Sequence, residues 1–376
     1  MKQFKNLFFL LPLLFVLALG GCGPAETQGV NIVQALSADV GGDCFDNATL
    51  PAALGFPQDH GSHPSFQTEW WYYTGNLRTE ENRHFGYQLT FFRRAVACES
   101  GEDLLSGASR WRTRQIYFAH FAVTDTRDNR FYASSRMNRQ SLGIAGARAV
   151  PFRVWVDNWS VEEKSGELML TATENDILLN LRLIQKGPLL LQGDQGFSRK
   201  GPQLTNASYY YSLPRLITRG TLKIGSQTHK ITGNSWFDHE WSTTALDRNV
   251  TGWDWFSFHL KDGRDLMVCQ IRDAHGRPNG YGFGSLARPD GTNEILTSDQ
   301  FTIHPTEYWT SPSTGKRYPG RWEIHLPGQD LAIRVVPVIP DQEHAHLIVY
   351  WEGAVRVEGI HKKEIQGEGY VELTGY

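Results

Sequence analysis

The stretch Trp70-Trp71-Tyr72-Tyr73-Thr74-Gly75-Asn76-Leu77, followed after a polar turn by His84-Phe85-Gly86-Tyr87-Gln88-Leu89-Thr90-Phe91-Phe92-Arg93, sets the reading of the whole chain. Each run has strand length, is rich in aromatic residues, and alternates in character, so the two read as a β-hairpin. The pattern recurs at Gln115 to Thr124 and Arg130 to Met137, around the turn Asp125-Thr126-Arg127-Asp128. Phe152 to Glu162, Glu167 to Glu174 and Ile177 to Gln185 continue it, with turns at Lys164-Ser165-Gly166 and Asn175-Asp176. Strands resume at Tyr209 to Tyr211, Leu216 to Ile224 and His229 to Phe237. The second half adds Trp253 to Leu260, Asp265 to Arg272, Gly280 to Ala287, Arg321 to Leu326, Leu331 to Val336, His346 to Gly353, Ala354 to Gly359 and Glu368 to Leu373. No long segment has a helical period; short helices are expected only near Leu104 and Ser298. The fold class is all-β, an antiparallel up-and-down run that closes into barrels or stacks as a sandwich.

Gly187 to Asn206 interrupts the run with Gly187-Pro188, Gly193, Gly196 and Gly201-Pro202. It reads as a linker, or as a lid carrying Leu189, Leu190 and Leu191, which are poorly placed in water. Two β domains are expected, residues 55–235 and 236–376. The first residues stand apart from them. Lys2 and Lys5 precede an apolar segment, Phe8 to Leu19, too short to span a membrane comfortably. It ends in Leu19-Gly20-Gly21-Cys22, the pattern of a bacterial lipoprotein signal. Residues 1–22 are therefore expected to be a leader whose Cys22 is acylated, and 23–54 a flexible tether. The expected location is the cell envelope, lipid-anchored on the outer membrane and facing the periplasm.

Bulk properties narrow the function. The chain carries a net charge of −3, which gives no support for a nucleic-acid partner. Twelve Trp suit strand surfaces and apolar pockets. Of the four cysteines, Cys44 and Cys98 lie in loops and are free to pair in an oxidising compartment, while Cys269 reads as a buried small hydrophobe. There is no HExxH, P-loop, GxGxxG after a strand, GxSxG or CxxC, so neither a metal nor an organic cofactor is expected. The implied partner is a hydrophobic small molecule, and the protein is expected to be a monomer.

One phrase is written twice. Asp59-His60 precedes Glu69-Trp70-Trp71-Tyr72, and Asp238-His239 precedes Asp254-Trp255-Phe256-Ser257. The repetition suggests sister units with their chemistry at the strand entrances. His60 and His63 are candidate proton carriers, or else they bind backbone groups at a barrel entrance. Glu69 stands against indoles, which should raise its pKa and suit acid/base work, unless an arginine such as Arg93 or Arg114 pins it. Alternation puts Glu69, Trp71 and Tyr73 on one face and Trp70 and Tyr72 on the other. It likewise separates Trp236, Asp238 and Glu240 from Phe237, His239 and Trp241. Asp254 lies between Trp253 and Trp255. His239, Asp254, Asp238 and Glu240 are the candidate catalytic residues. Trp241, Trp255, Trp253, His60, His63, Glu69, Trp71 and Tyr73 are the candidate substrate contacts. Asp238 and Asp254 capping strand ends, with Trp241 and Trp255 plugging a barrel, is the structural alternative. His344 and His346 would share a strand face as a solvated pair.

The stretch Phe56-Pro57-Gln58-Asp59-His60 to His63-Pro64, with Glu69 to Leu77, resembles the N-terminal signature of the carotenoid 1,2-hydratase (hydroxyneurosporene synthase) family and of the related AttH-like proteins, a group often labelled predicted secreted hydrolases. Trp236-Phe237-Asp238-His239-Glu240-Trp241, followed by Gly252-Trp253-Asp254-Trp255-Phe256, resembles the second signature of that family. The likeness runs from Phe56 to the C-terminus. It implies two tandem lipocalin-like barrels. It also implies addition of water across a terminal carbon–carbon double bond of an acyclic, hydrophobic isoprenoid, with no organic cofactor; a related fungal group uses the fold for pericyclic ring closure. His239, Trp241 and Asp254 fall where that family has its implicated histidine, tryptophan and aspartate, which makes Asp254 the proton donor and His239 its partner. Gly252 or Trp253 stands where a tyrosine is expected. The alternative to a hydratase is a non-catalytic carrier of a hydrophobic molecule. No nucleophile–base–orienter set supports a hydrolase.

Overall fold

The computed structural model describes residues 30–31, 44–97, 113–346 and 348–376. Two sheets account for nearly all of them, a nearly closed barrel and a half-barrel, antiparallel apart from the parallel pairing of Val30–Asn31 with Ile348–Gly359, in keeping with tandem lipocalin-like barrels. The barrel is built around the hairpin Thr68–Arg78 and His84–Ala95. Gln115–Asp125 and Arg130–Arg139 extend it on one side. On the other side Thr68–Arg78 pairs with Gln227–Ser242, which pairs with Ala207–Ile224. Ile177–Gln185 and the shorter strands before it complete the wall. Inward residues of these strands form one core that includes Trp71, Tyr73, Trp159, Tyr211 and Trp241. The half-barrel is centred on Val250–Leu260, Gln366–Leu373 and Ile348–Gly359, and its core includes Phe256, Trp322 and Trp351.

The sheets meet along a polar seam. Asn76 Nδ2 donates to Gly369 O at 3.0 Å, Arg215 pairs with Asp265 at 2.6 Å, and Thr124 Oγ1 donates to Gln342 Oε1 at 2.7 Å. His259 Nε2 donates to Pro214 O at 2.7 Å. Close approach needs a glycine at position 86, where a Cβ would stand 2.6 Å from that of Ala354.

The strand reading holds for most elements, and the differences have local causes. Tyr209–Tyr211 and Leu216–Ile224 are one strand with an irregularity between Leu213 and Leu216, at Pro214, which cannot donate to a ladder. Phe152–Glu162 is instead two strands around a turn at Asp157, whose φ is +56°. The expected helix near Ser298 is a turn between the strands Asn293–Thr297 and Thr302–Thr310. Among the described residues there is no α-helix. The 187–206 segment is neither an exposed linker nor a free lid. Leu190–Leu191 and Phe197–Arg199 pair with Ala207–Ile224, and Leu189 and Leu191 pack on the barrel core.

The boundary expected at 235/236 cuts through Gln227–Ser242, which belongs wholly to the barrel, so the change of sheet falls in 243–249. His344 and His346 are not a solvated pair either: His344 is buried and stacks on Tyr350, while His346 is exposed and donates to Ala133 O. Cys44 is disulfide-bonded, but its expected partner Cys98 lies outside the described residues, as do the leader, Cys22 and Leu104. Cys269 is a buried free thiol.

Candidate functional site

The twice-written phrase does not mark sister barrels. The aromatic half of the first copy pairs within one barrel with the Asp-His half of the second, Trp71 opposite His239, Glu69 opposite Trp241 and Tyr72 opposite Asp238, while Asp254 to Ser257 lies in the half-barrel. Alternation then sorts the candidate residues onto two faces.

The inner face carries a hydrogen-bonded network. His63 presents Nδ1 to Glu69 Oε1 at 2.7 Å and Nε2 to Asp59 Oδ1 at 3.2 Å. A carboxylate only accepts, so both ring nitrogens donate and His63 is an imidazolium. Burial opposes this charge, but the two carboxylates outweigh burial and raise its pKa. His239 Nε2 donates to Glu69 Oε1 at 2.9 Å, and its Nδ1 lies 3.1 Å from Tyr211 Oη. That hydroxyl also lies 2.6 Å from His60 Nδ1. One hydroxyl has one proton, so Tyr211 donates to His239 and accepts from His60. Burial holds His239 neutral, with its pKa down at about 4.

Glu69 follows the second reading open for it, a carboxylate pinned by Arg93. Burial pushes its pKa up, but Arg93 and the two histidines overcome that and hold it well below the usual range. Arg93 Nε reaches Oε2 at 2.6 Å, and its other donors are taken by Gln115 Oε1 and the carbonyls of His63 and Phe66. His63 stacks on Trp241 with ring centroids 3.7 Å apart, and His239 stacks on Trp71. Tyr73 stacks on Phe237 deeper in the barrel.

Donor atoms of His63, Glu69 and His239 lie within 4.8 Å of one another, a grouping that a metal ion can use. Here each facing nitrogen already donates to Glu69, and the charges of Glu69 and Asp59 are balanced by Arg93 and His63. The network reads as a satisfied structural plug.

The outer face of the same strands opens onto a cavity of about 590 Å³ between barrel and half-barrel. Asp238 and Glu240 line it, together with Trp253 and Trp255. Trp70, Tyr72, Phe92 and Phe283 complete an aromatic wall. Asp238 Oδ1 accepts from Trp236 Nε1 at 2.8 Å and from Ser212 Oγ. Burial nevertheless pushes its pKa up to about 7. Glu240 pairs with the buried Lys200 at 3.0 Å, and Lys200 Nζ lies 4.2 Å from the Phe283 ring centroid. Glu372 faces the same space and accepts from Trp253 Nε1 at 2.9 Å; burial pushes it up to about 7 as well.

Asp254 is not in this cavity. Flanked by Trp253 and Trp255, it points the other way, into the half-barrel. There Arg272 Nε lies 3.2 Å from Oδ1 and Tyr376 Oη donates at 2.8 Å. The structure therefore does not join Asp254 to His239: they occupy the interiors of different sheets. Sequence reasoning also missed Glu372, Lys200 and Tyr72. A signal for Glu372 was present, since Val371-Glu372-Leu373 sets a lone carboxylate in an apolar strand.

Two lipocalin-like β-barrels in tandem, with a cavity where they meet, define the class of this protein. The chain belongs to the AttH-like family, whose model matches residues 47–376. A protein of Nitrosomonas europaea described as AttH superposes with a TM-score of 0.78 at 33% identity, over 88% of this chain and 100% of that one. Kievitone hydratase of Nectria haematococca shares the fold, with a TM-score of 0.64 at 16% identity over 90% and 96% of the two chains. Among curated proteins, the dehydratase asqC of Emericella nidulans is 26% identical over 199 residues, 49% of this chain. The match spans about half of that relative, 54% of its length.

Proposed function

We propose that the protein is a cofactor-independent hydro-lyase. It adds water to, or removes it from, a hydrophobic unsaturated small molecule held between barrel and half-barrel. The observation that carries this reading is the cavity itself: aromatic walls enclose Asp238 and Glu372, two carboxyl groups with pKa values raised to about 7. A group that titrates near neutrality is an efficient proton donor or acceptor, and an apolar wall keeps stray water from its charge. The dehydratase relative supports loss or gain of water as the reaction class. The resemblance to carotenoid 1,2-hydratases supports an acyclic isoprenoid as substrate. The leader and Cys22 support an envelope lipoprotein facing the periplasm.

The test is to incubate the purified protein with acyclic terpene alkenes and their tertiary alcohols and follow the mass of the small molecule. A change of one water is expected, and Asp238→Asn should abolish it with the fold intact. A ligand that binds tightly and returns unchanged would replace this reading with that of a carrier.

A further inference from the structure

Strand register sets Asp238, Tyr72, Thr90 and His120 side by side across four strands of the barrel, on its outer face. The half-barrel opposes this row with Glu372 and Glu352, which are direct partners across Gln366–Leu373 and Ile348–Gly359 and so share one face. Glu372 lines the cavity; Glu352 is fully buried. Tyr72 donates its hydroxyl to Glu352 Oε1 at 2.6 Å, and Glu352 Oε2 has no hydrogen-bond partner among the described residues. Among the described residues neither carboxyl makes an ion pair.

Two ionised carboxylates side by side, one of them fully buried and with no cation beside them among the described residues, repel strongly, so Glu352 retains a proton. Tyr72 occupies Oε1 as a donor, so the proton of Glu352 sits on Oε2, and Glu372, raised by burial to about 7, carries a proton of its own. Burial first, and then the charge of Glu372, raise the pKa of Glu352 well above the ordinary range.

We propose that Glu372 and Glu352 form a coupled carboxyl pair, with Glu372 the catalytic acid at the cavity wall and Glu352 the positioning residue whose own proton keeps a second negative charge from facing it. The proposal rests on the hydro-lyase reading and names its acid. In the hydration direction, the π electrons of the double bond take the proton of Glu372 to form the new C–H bond. A water oxygen then bonds to the other carbon. The proton released by that water passes to Asp238, whose oxygen already accepts from Ser212 and Trp236 and is suited to the ionised form. Asp238 returns the proton to Glu372 through the cavity, which restores both groups. Dehydration runs the same steps backwards.

Difference infrared spectroscopy of the whole chain reads the pair without any substrate. Wild type should show a protonated-carboxyl band that persists well above neutral pH, is lost in Glu352→Gln and is kept in Asp238→Asn. Tyr72→Phe removes one hydroxyl and should shift the band's frequency, which serves if Glu352→Gln fails to fold. In turnover of the terpene panel, Glu372→Gln should lower kcat by about 10²–10⁴-fold with KM nearly unchanged. Glu352→Gln, neutral at every pH, should keep kcat near wild type at neutral pH and change the alkaline side of the pH profile. A missing band, or wild-type kcat in Glu372→Gln, overturns the pair and leaves the hydro-lyase reading standing. A band that behaves as expected in a protein that turns over none of the panel overturns the catalytic role together with that reading.

Discussion

Replacing Arg93 by Met removes the buried cation opposite Glu69. Both side chains are fully buried, and the guanidinium also holds Gln115 and two loop carbonyls. Breaking a buried pair by removing one partner costs about 3–5 kcal/mol, because it strands the other charge. Here the cost should depend on pH. His63 and His239 both face Glu69 Oε1, and His239 is neutral while Arg93 is present. Without Arg93 the pKa of His239 should rise. A histidine with a raised folded pKa contributes stability below its unfolded pKa of about 6.5 and loses it as pH climbs through the folded value. Arg93→Met should therefore be mildly destabilised at roughly pH 5 and should show the full loss of about 3 kcal/mol or more at roughly pH 8. Urea unfolding followed by tryptophan fluorescence measures this, since Trp71 and Trp241 stack on the two histidines. The double variant Arg93→Met with Glu69→Gln should recover much of the alkaline loss. A single variant within about 1 kcal/mol of wild type at both pH values, or a double variant no better than the single, would refute the reasoning.

The seam histidines predict acid sensitivity. Burial holds His84 and His120 down to about 3 and His259 to about 4, so the folded state keeps them neutral. For a lowered histidine pKa, stability is fully present above about pH 6.5. It falls by about 1.4 kcal/mol per pH unit for each group below that. Asp238 and Glu372 act with the opposite sign, losing stability as pH rises from about 4 towards 7, so the two sets offset each other in that window. The urea midpoint should drop most steeply below about pH 4, and His120→Gln should flatten that drop; a flat midpoint there would count against buried neutral histidines. At the other end of the chain, Cys22→Ser should move the protein from the membrane to the soluble fraction of an expressing cell. Continued membrane retention would remove the lipid anchor from the account.

What the sequence makes legible is parity, and what it hides is adjacency. Alternation along Glu69 to Tyr73 and along Trp236 to Trp241 was readable residue by residue. The separation of Asp238 and Glu240 from His239 and Trp241 stands in the structure as alternation placed it. Which strand lies beside which is a long-range matter, and the repeated Asp-His phrase pointed the wrong way. Its pieces fall on different elements: Glu69 to Tyr72 pairs with Asp238 to Trp241 across one barrel wall, where Glu69 serves both His63 and His239, while Asp254 to Ser257 belongs to the half-barrel. Local hairpins occupy a middle ground. The turn between Thr68–Arg78 and His84–Ala95 fixes a register that puts Arg93 directly opposite Glu69, so the pinned carboxylate was available from counting. Of the two readings open for Glu69, the pinned one holds, because the hairpin brings the Arg93 guanidinium onto the carboxylate and its charge outweighs burial against the indoles. The cavity has no local signature at all. It exists only because the outer face of the barrel, carrying Asp238 and Tyr72, is covered by Trp253, Trp255 and Glu372 from the half-barrel. Asp254 shows the consequence: one residue from two cavity tryptophans, it points into a different interior, and no pattern of spacing could have chosen between them without the second sheet in place.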